Sequence, residues 1–290
     1  MAARGTAPSR RDEQPVRKGA DELTGKVGGR GRPQPPPPRR KRYAPYHDIE
    51  GPKVRLGVTW FFLALAAISI GPLTTAVVYG GVASVAAAQT ARCWKKRRQR
   101  PNELVAAALP VAMAFGACLG AGGGGLALLA GVGFAYVAAS GDRTSPYPTM
   151  SDVGLTLQCG LPPGILALSM VLLCRLDQGS AIALLLLVSA YEIGDFLIGS
   201  GSRNPYEGPV AGGSAVVVVT FILSAVPISA LGFREAWLFG GLVLVLAPLG
   251  QLLASAILPT RKSPATALRR LDSLLIAAPA WCIGIGIVIS

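Results

Sequence analysis

Beyond residue 53 the chain holds only nine acidic residues: Glu103, Asp142, Asp152, Asp177, Glu192, Asp195, Glu207, Glu235 and Asp272. Glu192 and Asp195 fall inside an apolar run, where an ionised side chain is costly and therefore informative. Their spacing of three places both carboxylates on one face of a helix. Arg203 and Glu207 follow in the next polar stretch, and Arg269, Arg270 and Asp272 lead into the last apolar run. Carboxylates gathered with arginines suit a metal ion bound to a phosphorylated ligand. A second reading stays open: Glu192 and Asp195 pair with Arg203 and serve only helix packing.

Other chemistries lack their parts. The single histidine is His47, which argues against a Ser/His/Asp mechanism, a His-ligated zinc site and a haem-type site in the apolar region. Cys93, Cys118, Cys159, Cys174 and Cys282 form no CxxC pair and read as small packing residues. The Gly122–Gly125 run is not followed by Lys-Ser/Thr, so it predicts a tight hairpin rather than a phosphate loop.

The elements that must position these residues are written in the composition. Of 290 residues 51% are hydrophobic and 15% charged, and from about Leu56 onward apolar stretches of bilayer-crossing length alternate with short polar loops. This excludes a soluble enzyme and a secreted disulfide scaffold. The expected fold is all-α, a polytopic integral membrane bundle of about nine transmembrane helices. The spans are read at roughly 56–71, 73–91, 104–121, 126–140, 153–174, 180–199, 210–231, 237–258 and 273–289. Glycines at Gly80-Gly81, Gly116, Gly120, Gly131, Gly133 and Gly212-Gly213 are expected to let helix backbones approach closely.

Residues 1–53 form a separate arm ahead of the membrane domain at 54–290. The arm carries 13 basic and 6 acidic side chains, the Pro35–Pro38 run and Arg39-Arg40-Lys41-Arg42, with no sustained apolar stretch. Such a composition buries too little apolar surface to offset the entropy of ordering, and it predicts disorder. The arm is not read as a cleavable signal peptide, nor its basic run as a nucleic-acid site; the expected partner is an anionic phospholipid surface. Cations concentrate in alternate loops: 92–103, 141–152, 200–209 and 259–272 hold twelve of them, while the opposite loops hold only Arg175 and Arg234. The asymmetry predicts a plasma-membrane protein with the N-terminus cytoplasmic and, after nine spans, the C-terminus outside. Glu192, Asp195, Arg203, Glu207, Arg270 and Asp272 then share the cytoplasmic side.

Four segments over about residues 190–280 carry a resemblance. They are Glu192-Ile193-Gly194-Asp195-Phe196-Leu197-Ile198-Gly199, then Asn204-Pro205-Tyr206-Glu207-Gly208 followed by Gly212-Gly213, then Gly250-Gln251-Leu252-Leu253-Ala254-Ser255, and Arg270-Leu271-Asp272-Ser273-Leu274-Leu275 running on to Pro279. In this order they resemble the signatures of the phosphatidate cytidylyltransferase (CDP-diacylglycerol synthase) family. The resemblance implies an attack by the phosphate of phosphatidic acid on the α-phosphorus of CTP. It further implies Asp272 and Arg270 as catalytic residues, Arg203, Glu207 and Ser255 as nucleotide contacts, and Mg2+ held by Glu192, Asp195 and Asp272.

The sequence departs from the family pattern where metal binding is concentrated. Gln251 stands where the family has Asp, Ala254 where it has Glu, and Arg269 where it has the first Asp of Asp-Arg-x-Asp. The His-Gly-Gly of the preceding loop and the upstream Lys-Thr pair are missing. A cation in place of a carboxylate removes a ligand and adds repulsion, so cytidylyl transfer is expected to be absent or crippled. The favoured expectation is a diverged member that binds lipid or nucleotide, or acts as a partner subunit. An active enzyme using Arg261, Lys262 and Asp272 as substitutes, and a small-solute or ion-coupled transporter, are the alternatives. Oligomeric state is not written in the sequence, and a homodimer is compatible with it.

Overall fold

Among the described residues, runs bounded by glycine, proline and helix-capping side chains fold into ten helices. The computed structural model describes residues 53–97, 99–141, 149–200, 204, 206–226, 231–260 and 263–289, with side chains from residue 57 onward. The expectations placed on the arm, on His47, and on Arg98, Asp142, Arg143, Arg203, Arg261 and Lys262 lie outside the described residues. In chain order the helices are α1 (Lys53–Ile70), α2 (Pro72–Lys95), α3 (Glu103–Cys118), α4 (Ala121–Gly141), α5 (Thr149–Leu176), α6 (Gln178–Gly199), α7 (Glu207–Ala225), α8 (Phe233–Ile257), α9 (Thr266–Leu271) and α10 (Leu274–Ile289). No strand occurs among the described residues.

Local chemistry sets the boundaries. Pro72 opens α2 at a position where a missing N–H costs nothing. Asn102 caps α3 by accepting from Val105 N at 3.1 Å, and Asp177 caps α6 by accepting from Ser180 N at 2.9 Å. Helix α7 stops at Ala225, short of the expected 231, because Val226 precedes Pro227 and is held extended. Leu258 ends α8 in the same way before Pro259. The fourth element is longer than the expected 126–140. Gly122–Gly125 do not form a loop but the first turn of α4, and the hairpin itself is only Leu119-Gly120, with Gly120 at φ 112°.

Among the described residues five helices, α4 to α8, are long and apolar enough to cross a membrane; α3, α10 and the apolar part of α1 are shorter. Helix α2 has 24 residues but carries Arg92 and Lys95 in its last turn.

Helix ends interlock at two faces. At one, Arg175 donates to the carbonyls of Ala117 (3.1 Å) and Cys118, closing the end of α3. There also Gln178 Nε2 donates to Ile68 O at 2.6 Å. At the other, Trp94 Nε1 donates to Ile257 O at 2.9 Å, and Ala267 N donates to Gln89 Oε1 at 3.0 Å. Glu103 pairs there with Arg92 and Lys95. The Trp94 face gathers Arg92, Lys95, Lys96, Arg97, Arg100, Arg269 and Arg270, whereas Arg175 lies at the opposite face and Arg234 at the far end of α8.

Small residues make the interior. A Cβ on Gly116 would stand 2.6 Å from Gly123 O, so α3 and α4 meet backbone to backbone. Helices α6 and α7 form the most extensive pair through Gly194, Gly208 and Gly212. Gly81 and Gly133, expected at helix contacts, face open space. The core is completed by Tyr79, Leu166, Met170, Leu184 and Tyr191, and by Phe239 against Trp281 at 4.8 Å. All five cysteines are free, four of them buried.

Candidate functional site

The last two turns of α6, the end of α8 and the α9–α10 elbow bring polar side chains together near the Trp94 face. Helix α9 is only six residues long, and its basic end, Arg269-Arg270, is followed by the turn Asp272-Ser273 that starts α10. This elbow is anchored from below: Gly250 has no side chain, and the carbonyl of Asp272 occupies the space a Cβ would take.

Asp195 is buried on α6 and accepts a hydrogen bond from Gln251 Nε2 of α8 at 3.3 Å. Ser255, one turn further along α8, donates to Gln251 O at 2.9 Å and accepts from Arg269 Nη1 at 2.9 Å. Asp272 is buried and takes the Ser273 N–H at 2.8 Å and the Ser273 hydroxyl at 3.3 Å on the same oxygen. Half-buried Glu192 faces the Ser273 hydroxyl and feels the charges of Asp272, Arg270 and Asp195. Arg270 reaches back to the start of α1, where Gly57 leaves room for its guanidinium. Burial drives the Asp272 carboxyl up to about 6, with Arg269 and the Ser273 hydrogen bonds pulling the other way.

Glu192, Asp195, Asp272, Arg270 and Ser255 therefore meet in one cluster, and Arg269 joins them. Glu207 is placed differently. Its side chain is exposed and lines a groove on the outer side of α6 and α7, although its neighbour Gly208 packs directly on Asp195. The partner found for Asp195 is Gln251; Arg203, the partner weighed from the sequence, lies outside the described residues.

Two tyrosines escaped the sequence reading. Tyr191 and Tyr79 are fully buried, Tyr191 within electrostatic reach of Asp195, Asp272 and Glu192, and Tyr79 of Glu192. Their hydroxyls and Gln251 Oε1 have no hydrogen-bond partner among the described residues. A tyrosine in mid-run was the available signal, since a buried phenol seeks a polar partner.

The donor set does not fit Mg2+. Among the described residues no three carboxylate, histidine or cysteine side chains stand together as metal ligands. Asp195 meets an amide N–H from Gln251, and Asp272 has the Arg269 guanidinium as its neighbour. A fixed positive charge at ~4 Å opposes a cation by about 4 kcal/mol per unit charge in a partly screened site. What the cluster offers is two half-buried guanidinium groups over a floor of buried acids and hydroxyls. No protein-family model matches the chain, and no curated protein matches it.

Proposed function

We propose that this is a phosphatidate cytidylyltransferase-like integral membrane protein of phospholipid metabolism that has diverged. It holds an anionic phospholipid headgroup at the Trp94 face and does not carry out metal-dependent nucleotidyl transfer. The observation that carries the reading is the pair of contacts Gln251–Asp195 and Arg269–Ser255. The first spends on an amide N–H a carboxylate oxygen that a metal-dependent transferase needs open, and the second fixes a guanidinium on the Ser255 hydroxyl of the neighbouring α8 turn.

The chemistry left to these residues is recognition. A guanidinium offers a planar fork of N–H donors that matches phosphate, and charge-assisted bonds of this kind are the stronger class. Arg270 and Arg269 would take the phosphate oxygens of phosphatidic acid or a related lipid. CTP, the second ligand implied by the resemblance, would compete for the same arginines. The flanking Lys95, Lys96, Arg97 and Arg100 add attraction toward an anionic leaflet.

In this reading α1 to α8 and α10 make the nine crossings, and α9 lies at the inner surface. The Trp94 face is cytoplasmic by the excess of cations, the end of α10 is outside, and the membrane is the plasma membrane. The protein acts as a lipid-binding or partner subunit, alone or as a homodimer.

The test is turnover with labelled CTP and phosphatidic acid in detergent, with Mg2+ present. The expected result is no CDP-diacylglycerol above background. Product that requires Mg2+ and disappears in Asp272→Asn would overturn the reading in favour of an active synthase.

A further inference from the structure

The outward side of the α6–α7 pair carries a groove of about 530 Å³, separate from the polar cluster. Its floor follows from Gly194: a Cβ there would stand 2.6 Å from Ala211 O and 2.8 Å from Gly212 Cα. The two backbones touch, and among the described residues no side chain fills the space in front of the seam. Leu197, Ile198 and Val210 form its walls and are 70%, 53% and 67% exposed. At the end nearest the Trp94 face the groove is closed by Tyr206 and Glu207.

Glu207 is the informative residue. It is exposed, opens α7, and its carboxylate makes no hydrogen bond or ion pair among the described residues. An apolar trough ending in an aromatic ring and one negative charge has the polarity of a single lipid, tail in the trough and headgroup at the rim. Aromatic side chains favour that interfacial depth. The charge sign selects the headgroup: a carboxylate disfavours an anionic lipid and favours an ammonium.

We propose that this groove binds one membrane phospholipid bearing a primary ammonium, with an acyl chain along Gly194, Ala211 and Val210 and the ammonium against Glu207. A primary ammonium supplies three N–H donors to the carboxylate, whereas a quaternary one supplies none. The site is opposite in charge preference to Arg269 and Arg270, so it stands whether or not those arginines hold a phosphate.

The experiment is lipid titration of the full-length protein in mild detergent, followed by native mass spectrometry. Phosphatidylethanolamine, phosphatidylcholine and phosphatidylglycerol of identical acyl chains are compared. Wild type should retain the ethanolamine lipid about twofold to fivefold over the choline lipid, the range of an exposed ion pair, and the same margin over the glycerol lipid should hold in Arg269→Gln/Arg270→Gln, where the anionic-headgroup site is removed. Glu207→Gln should abolish that ratio without lowering the total lipid bound. Ser214→Trp, at an exposed position on the groove wall, should lower retention of all three, with helicity by circular dichroism unchanged. Equal retention of the ethanolamine and choline lipids by wild type, or an unaltered ratio in Glu207→Gln, overturns the headgroup assignment. Unchanged binding in Ser214→Trp, or a dimer that this variant dissociates, overturns the groove as a lipid site.

Discussion

Gln251 Nε2 stands 3.3 Å from Asp195 Oδ2 and donates to it, tying the end of α8 to α6 inside the bundle. The contact spends a carboxylate oxygen on an amide. Gln251→Glu, nearly identical in shape, replaces the donor by a like charge. It should lower stability by about 1–3 kcal/mol, the cost of a broken buried hydrogen bond to a charged group. Thermal unfolding in detergent reads this. Mg2+ should leave the wild-type melting temperature unchanged and partly restore that of the variant.

Asp272 gives a pH dependence whose sign is set. Its carboxyl is raised from the ordinary 3.8 to about 6 in the folded protein, chiefly by burial. The folded state therefore binds the proton more tightly than the unfolded state. The stabilising contribution is complete below the ordinary value and is lost as pH rises through about 6. Asp272→Asn keeps an oxygen for the Ser273 N–H and removes the charge. It should melt higher than wild type at pH 8 and level with it near pH 4, measured across that interval in one detergent.

The α6–α7 seam predicts opposite outcomes for two glycines. A Cβ on Gly212 would lie 2.7 Å from Tyr191 O and 2.9 Å from the Tyr191 ring, whereas one on Gly241 meets nothing within 4 Å. Gly212→Ala should cost about 1–3 kcal/mol through overpacking. Gly241→Ala should be neutral or stabilising by up to about 1 kcal/mol, the helix-propensity difference. Denaturation in mixed micelles separates the two.

The helices were legible where one signal dominated, in apolar runs of sufficient length; the cap roles of Asn102 and Asp177 came only with the fold. Two ends fall elsewhere than expected. The span expected to reach 231 stops at Ala225, the α-region being disfavoured before Pro227, and the Gly122–Gly125 run joins α4 because flat glycine backbone packs against Gly116. The short α9 lay hidden in a polar loop, since it has no side-chain cap and its stability comes from packing of Leu268 and Leu271.

Spacing alone placed Glu192 and Asp195 on one helix, but it could not decide Glu207. Helix α6 ends at Gly199 and α7 starts at Glu207, and side-chain direction is not carried from one helix to the next. Tyr79 and Tyr191 enter only through tertiary contact, over a separation no periodicity records. Gln251 and Arg269 were visible as departures from a pattern, yet their hydrogen bonds to Asp195 and Ser255 needed the fold.

The most direct measurement is phosphatidic acid retained through purification, quantified by mass spectrometry for wild type, Arg269→Gln/Arg270→Gln, and the exposed control Arg234→Gln at the far end of α8. If the guanidinium pair at the α9–α10 elbow holds the phosphate, the double variant should retain about tenfold less lipid, matching the loss of charge-assisted hydrogen bonds. Arg234→Gln should then stay close to wild type. Equal retention in all three proteins, or equal losses in both variants, would contradict it.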